Sequence, residues 1–122
     1  MVAGHMEESL RLIVVDAIVT HFQTRGCLEW DSREAARIRR DGGLGGLTVE
    51  GIKALLVEHV KRGGRIDQRP ETRREKQSRR EYWYRVLIPN IPEMPRGLFV
   101  ELELYDPDPE CPSVLILDAH RQ

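Results

Sequence analysis

The chain has 122 residues, 40% hydrophobic and 32% charged, with a formal net charge of −1. That length suits one domain able to bury a core, and that balance excludes both disorder and a membrane-embedded protein. No apolar run approaches the ~18 residues that a spanning helix needs, so no membrane partner is expected.

His5-Met6 reads as a cloning junction. Residues 1–5 are therefore expected to be a vector remnant, and 6–122 a single α+β domain. No basic stretch followed by an apolar run and a cleavage site opens the chain, so a cytoplasmic location is expected.

The first helix is predicted from Glu7 to Thr24, ended by Gly26. Leu10, Ile13, Val14, Ala17, Ile18 and Phe22 recur at helical spacing, and Leu12, Val15 and Val19 widen the apolar stripe. A helix apolar on most sides needs cover on most sides. The expectation is a homodimer through helix 7–24. Cys27 to Trp30 should be a short extended segment, with both Cys27 and Cys111 reduced thiols. Asp31 and Ser32 are natural N-caps, and Asp31 with Glu34 has the spacing of a capping box, opening a charged helix to Arg40.

The glycines of Asp41 to Gly46 form a flexible loop or turn, because the Lys-Ser or Lys-Thr of a phosphate-binding loop is missing. Thr48 caps a third helix that runs to about Arg62, with Val49, Ile52, Leu55, Leu56 and Val60 on its buried face. The periodicity then changes from 3.6 to 2. Arg65 to Gln68 is a candidate strand, Tyr82 to Ile88 a clear one, and Leu98 to Tyr105 the most regular. Val114 to Leu117 is the last. The fold class is α+β, with N-terminal helices packed on one face of a three- to four-stranded antiparallel sheet.

Charge is unevenly spread. Lys61 to Arg85 carries ten basic residues against four acidic, and Ile91 to Asp118 seven acidic against one basic. Such a bipolar surface suits an anion site or head-to-tail pairing of copies. Arg69 to Arg80 has no apolar residue except Pro70, which predicts an exposed loop. With the aromatic run that follows, it is the candidate nucleic-acid- or anion-binding surface: Arg73, Arg74, Lys76, Arg79, Arg80, Tyr82 and Tyr84. Arginines bind phosphates, and aromatics offer faces to unpaired bases.

His59 and His120 are candidate acids or bases at neutral pH. Glu101 and Glu103 share a strand face, where cross-strand pairing with Arg85 is expected. The scattered His and Cys residues have no zinc-like spacing, so neither a metal nor a cofactor is expected. Nucleophile-elbow, dinucleotide-fingerprint, zinc-protease and helix-turn-helix signatures are all missing.

Leu28-Glu29-Trp30-Asp31, the charged helix after it, a glycine break and Thr48-Val49-Glu50 together resemble the opening of BrnT-type toxins. The ending Leu115 to Arg121 is similar to that family's final strand, and helices before an antiparallel sheet match the RelE-like ribonuclease superfamily. The resemblance covers about residues 28–122. It implies cleavage of messenger RNA, an antitoxin partner, and Arg85, His120 and Arg121 as catalytic residues. The residues read without it point instead to a small bacterial accessory or binding protein, from a mobile gene, that presents a ligand- or partner-binding surface as a homodimer. An RNA-cleaving toxin is the alternative.

Overall fold

The computed structural model describes residues 2–77 and 80–122. The elements, in chain order, are α1 (Val2–Thr20), β1 (Leu28–Trp30), α2 (Ser32–Arg40), α3 (Val49–Lys61), β2 (Asp67–Pro70), α4 (Arg74–Gln77), β3 (Tyr82–Ile88), β4 (Leu98–Asp106) and β5 (Ser113–Arg121). The α+β class stands, but the sheet has five strands in the order β1-β5-β4-β3-β2 and is mixed. β1 pairs with β5 in parallel, and the remaining pairs are antiparallel. Among the described residues no helix is long and apolar enough to cross a membrane.

Local chemistry sets the helix starts. Asp31 accepts from the amides of Arg33 and Glu34 to cap α2, and Thr48 accepts from Gly51 to cap α3. Glu34 does not close the capping box, because its carboxylate is engaged elsewhere. The glycine loop contains a tight turn. Leu44 and Leu47 exchange two backbone hydrogen bonds, with Gly45 and Gly46 at φ +57° and +86° between them. The extended segment before α2 is a true strand, extended at its far end by Trp30, whose indole nitrogen donates to the Val49 carbonyl at 3.0 Å.

Helices cover one face of the sheet. Val14, Ala17 and Ile18 of α1 and Ile52, Leu56 and Val60 of α3 pack with Tyr84, Val86, Val100, Leu102 and Ile116. The cover that the sequence sought in a second copy thus comes largely from α3 and β5 of the same chain. Leu12 is the α1 residue left prominently exposed.

A register irregularity and the short length of β1 shape the other face. β4 and β5 pair Glu101 with Asp118 but Leu102 with Ile116, so Leu117 is an extra residue. That bulge turns both Leu117 and Asp118 away from the helices and returns Ala119 to the core. β1 stops at Trp30, opposite Ile116. Beyond it, α2 takes over the edge of β5: Glu34 accepts from the Ala119 amide at 3.2 Å, and Arg37 donates to the Ala119 carbonyl at 3.5 Å.

The segment after β2 does not extend into solvent as an exposed loop. A backbone bond from the Glu71 amide to the Glu81 carbonyl, at 2.9 Å, closes its base. It folds over the face opposite α1 and α3, and Glu71 and Arg80 are buried there with 5% and 8% exposure. The basic and acidic stretches of the chain therefore meet each other within one molecule. Arg73 pairs with Glu101 and Arg80 with Glu103, which offsets part of the charge asymmetry between the two stretches.

Candidate anion-binding cleft

Arg33, Arg37 and Arg40 recur at spacings of four and three on α2, opposite its buried Ala35 and Ile38. They form one wall of an open cleft of about 500 Å³. Arg73, Lys76 and Arg80 form the facing wall, and Glu101, Leu117 and Asp118 are the floor. Sequence reasoning proposed the second wall and missed the first. The arginine spacing on α2 was the available signal.

Three of the six cations are committed. Arg37 is bidentate to Glu34 at 2.8 Å on both arms. Arg73 binds Glu71 at 2.9 and 3.0 Å, reaches Glu101 at 3.1 Å, and lies 5.7 Å over the Trp83 ring. Arg80 binds Glu71 at 2.7 Å and also contacts Glu103. Arg73 first, and then Arg80, hold the Glu71 carboxyl down at about 2 against its burial. Arg33, Arg40 and Lys76 have no ion-pair partner among the described residues. The Nη2 of buried Arg80 has no acceptor among them either. A buried guanidinium nitrogen left open beside a cleft is an unmet demand for an acceptor.

The floor holds a carboxyl pair. Arg37 keeps Glu34 at about 2, while burial and the neighbouring Glu34 push Asp118 up. The two carboxyls meet side by side, so a proton entering the pair goes to Asp118. Asp118 in turn lies 3.1 Å from Nδ1 of His120, whose ring stacks on Phe99 with centroids 4.8 Å apart.

Several sequence candidates lie elsewhere. Tyr84 is 1% exposed on the helix side and offers no stacking face; Tyr82 is half-buried on that same side. Arg74 is exposed on α4 outside the cleft, and Arg79 lies outside the described residues. Arg85 does not pair with Glu101, its register neighbour. It binds Asp67 at 3.3 Å, because Arg73 already engages Glu101. Arg85 and His120 share the face opposite α1 and α3, on strands that flank β4. Arg121 does not join them: it follows His120 in the strand, so its side chain turns to the helix side, against the Gly45 turn. His59 is on α3 with its ring packed on Gly64, where an added Cβ would come within 2.3 Å of it.

Among the described residues no group of three His, Cys, Asp or Glu side chains could hold a metal ion. Comparison with known proteins gives no matching family model, no matching curated protein and no matching solved structure.

Proposed function

We propose that the protein is a binding module for single-stranded RNA, seating the phosphodiester backbone between α2 and the Arg73–Arg80 wall. The observation that carries this reading is the pair of opposed cationic walls with Arg33, Arg40 and Lys76 uncommitted. Arg33 to Arg40 rises about 10 Å along the helix, enough to meet successive phosphates. A cleft of about 500 Å³ suits a strand and not a duplex. The carboxylates of Glu101 and Asp118 on its floor would accept from ribose 2′-hydroxyls, which favours RNA over DNA. The stacked Phe99–His120 pair gives unpaired bases an adjacent face. Titrating matched RNA and DNA single strands at two salt concentrations tests this. RNA should bind more tightly, with an affinity that falls steeply with salt. Replacing Arg33, Arg40 and Lys76 together by Ala should flatten the salt slope by about two. Salt-independent binding, or none, would refute it.

A second reading, cleavage of that RNA, rests on His120 being held by Asp118 on the face that also carries Arg85. His120 would take the proton of a 2′-hydroxyl as it attacks the adjacent phosphorus, the P–O5′ bond would break with the leaving 5′-oxygen protonated from solvent, and Arg85 would stabilise the charge that develops. Incubation with end-labelled RNA should then give fragments ending in a cyclic phosphate, lost in His120→Ala and Arg85→Ala. Intact RNA leaves the binding reading alone. Pairing of two copies through α1 would now rest chiefly on Leu12, and a mass measurement in solution decides it.

A further inference from the structure

Cys27 and Cys111 are 84 positions apart in the chain, yet their sulfurs lie 3.4 Å from each other. That is sulfur–sulfur contact distance, about 1.4 Å longer than a disulfide bond. The two thiols differ in access: Cys27 is fully buried and Cys111 is exposed. Cys27 is fixed in the sheet, since its carbonyl accepts from the Val114 amide at 2.8 Å and its amide donates to the Thr24 carbonyl at 3.1 Å. Cys111 sits on the turn between β4 and β5, between Glu110 and Pro112.

We propose that Cys27 and Cys111 form a thiol–disulfide exchange site that takes low-molecular-weight disulfides and closes to an intramolecular disulfide. Cys111 gives its proton to solvent, and its thiolate attacks one sulfur of the small disulfide. That S–S bond breaks, a mixed disulfide forms at Cys111, and one small thiolate leaves and takes up a proton. Cys27 then loses its proton and attacks the Cys111 sulfur, expelling the second small thiol. Two protein S–H groups and one small disulfide thus become one protein disulfide and two small thiols. Burial and the neighbouring Cys111 push the Cys27 thiol up, which keeps it protonated and leaves the first attack to Cys111. Contact distance makes the second step intramolecular and fast. The closed form ties the entry of β1 to the turn before β5, and so fixes the strand that leads into the Asp31 cap of α2.

The test uses the full reduced chain and oxidised glutathione, read by intact mass with time. The expected end state has lost two hydrogens and carries no glutathione. Cys27→Ala should stop at a stable glutathione adduct, and Cys111→Ser should stay unmodified at least tenfold longer than the wild type. The closed form should melt about 5 °C or more above the reduced one, because the bond constrains a long loop of the unfolded chain. A wild type that halts at the glutathione adduct, that never reacts, or whose Cys111→Ser variant reacts as fast would each overturn the proposal. These outcomes do not depend on RNA binding.

Discussion

Arg80 Nε lies 2.7 Å from Glu71 Oε1, and both side chains are buried in a segment with almost no apolar residue to hold it down. The guanidinium also contacts Glu103 on β4, so Arg80, with Arg73 on Glu101, ties the two described ends of the segment to the sheet. Charges taken out of water are stabilised only while every partner stays in place.

Arg80→Ala should therefore cost about 1–3 kcal/mol, because it takes a charged hydrogen bond from each of two buried carboxylates while Arg73 still holds Glu71. Arg74→Ala, on the exposed side of the same segment, should stay within about 0.5 kcal/mol of wild type. Urea denaturation of the two variants gives the comparison.

Stability should also depend on acid. Glu71 and Glu34 are held at about 2 in the folded chain against an ordinary 4.5. The unfolded chain binds protons first, so their contribution is complete above about 4.5 and drains away as pH falls towards 2. Urea midpoints measured across that window should fall continuously. Glu71→Gln should start lower at neutral pH and fall less.

Asp118 has the opposite sign. Its folded carboxyl is raised above the ordinary 3.8, so the folded state is disfavoured as pH rises past that value and the carboxyl must ionise beside Glu34. Asp118→Asn removes the repulsion. At neutral pH it should melt about 2 °C higher than wild type, a small gain because the side chain is partly solvated. The advantage should disappear at a pH where Asp118 is protonated in both states.

Trp30→Phe keeps an aromatic ring, though a smaller one, and loses the donor to the Val49 carbonyl. The expected loss is about 1–2 kcal/mol, since the carbonyl at the start of α3 is left without that partner. An unchanged thermal midpoint would mean that water replaces the indole there.

Much of the fold is legible in the residues. The caps Asp31 and Thr48, the α3 stripe and the alternation of β4 each follow from local chemistry. β5 reads too short because the bulge at Leu117 breaks its alternation just where Asp118 enters. β1 has three residues, too few to carry a period, and its partner lies more than eighty residues away. The fold-back of the segment after β2 is hidden for a different reason. Its anchors are ion pairs to Glu101 and Glu103, and charge pairing at such separations leaves no periodic trace in a sequence. Half of the cleft was accessible from charge alone. The α2 wall required knowing that the helix lies beside the bulged end of β5.

The exchange of partners along β5, from β1 to Glu34 and Arg37, bears on solubility. A strand that outruns its neighbour offers bare amide and carbonyl groups to any passing chain, and such edges seed intermolecular sheet growth. Here a carboxylate and a guanidinium occupy the Ala119 amide and carbonyl in place of a backbone. They carry charge to that position, which a second strand could reach only by displacing both. The arginine that helps line the cleft is thereby also a guard against aggregation.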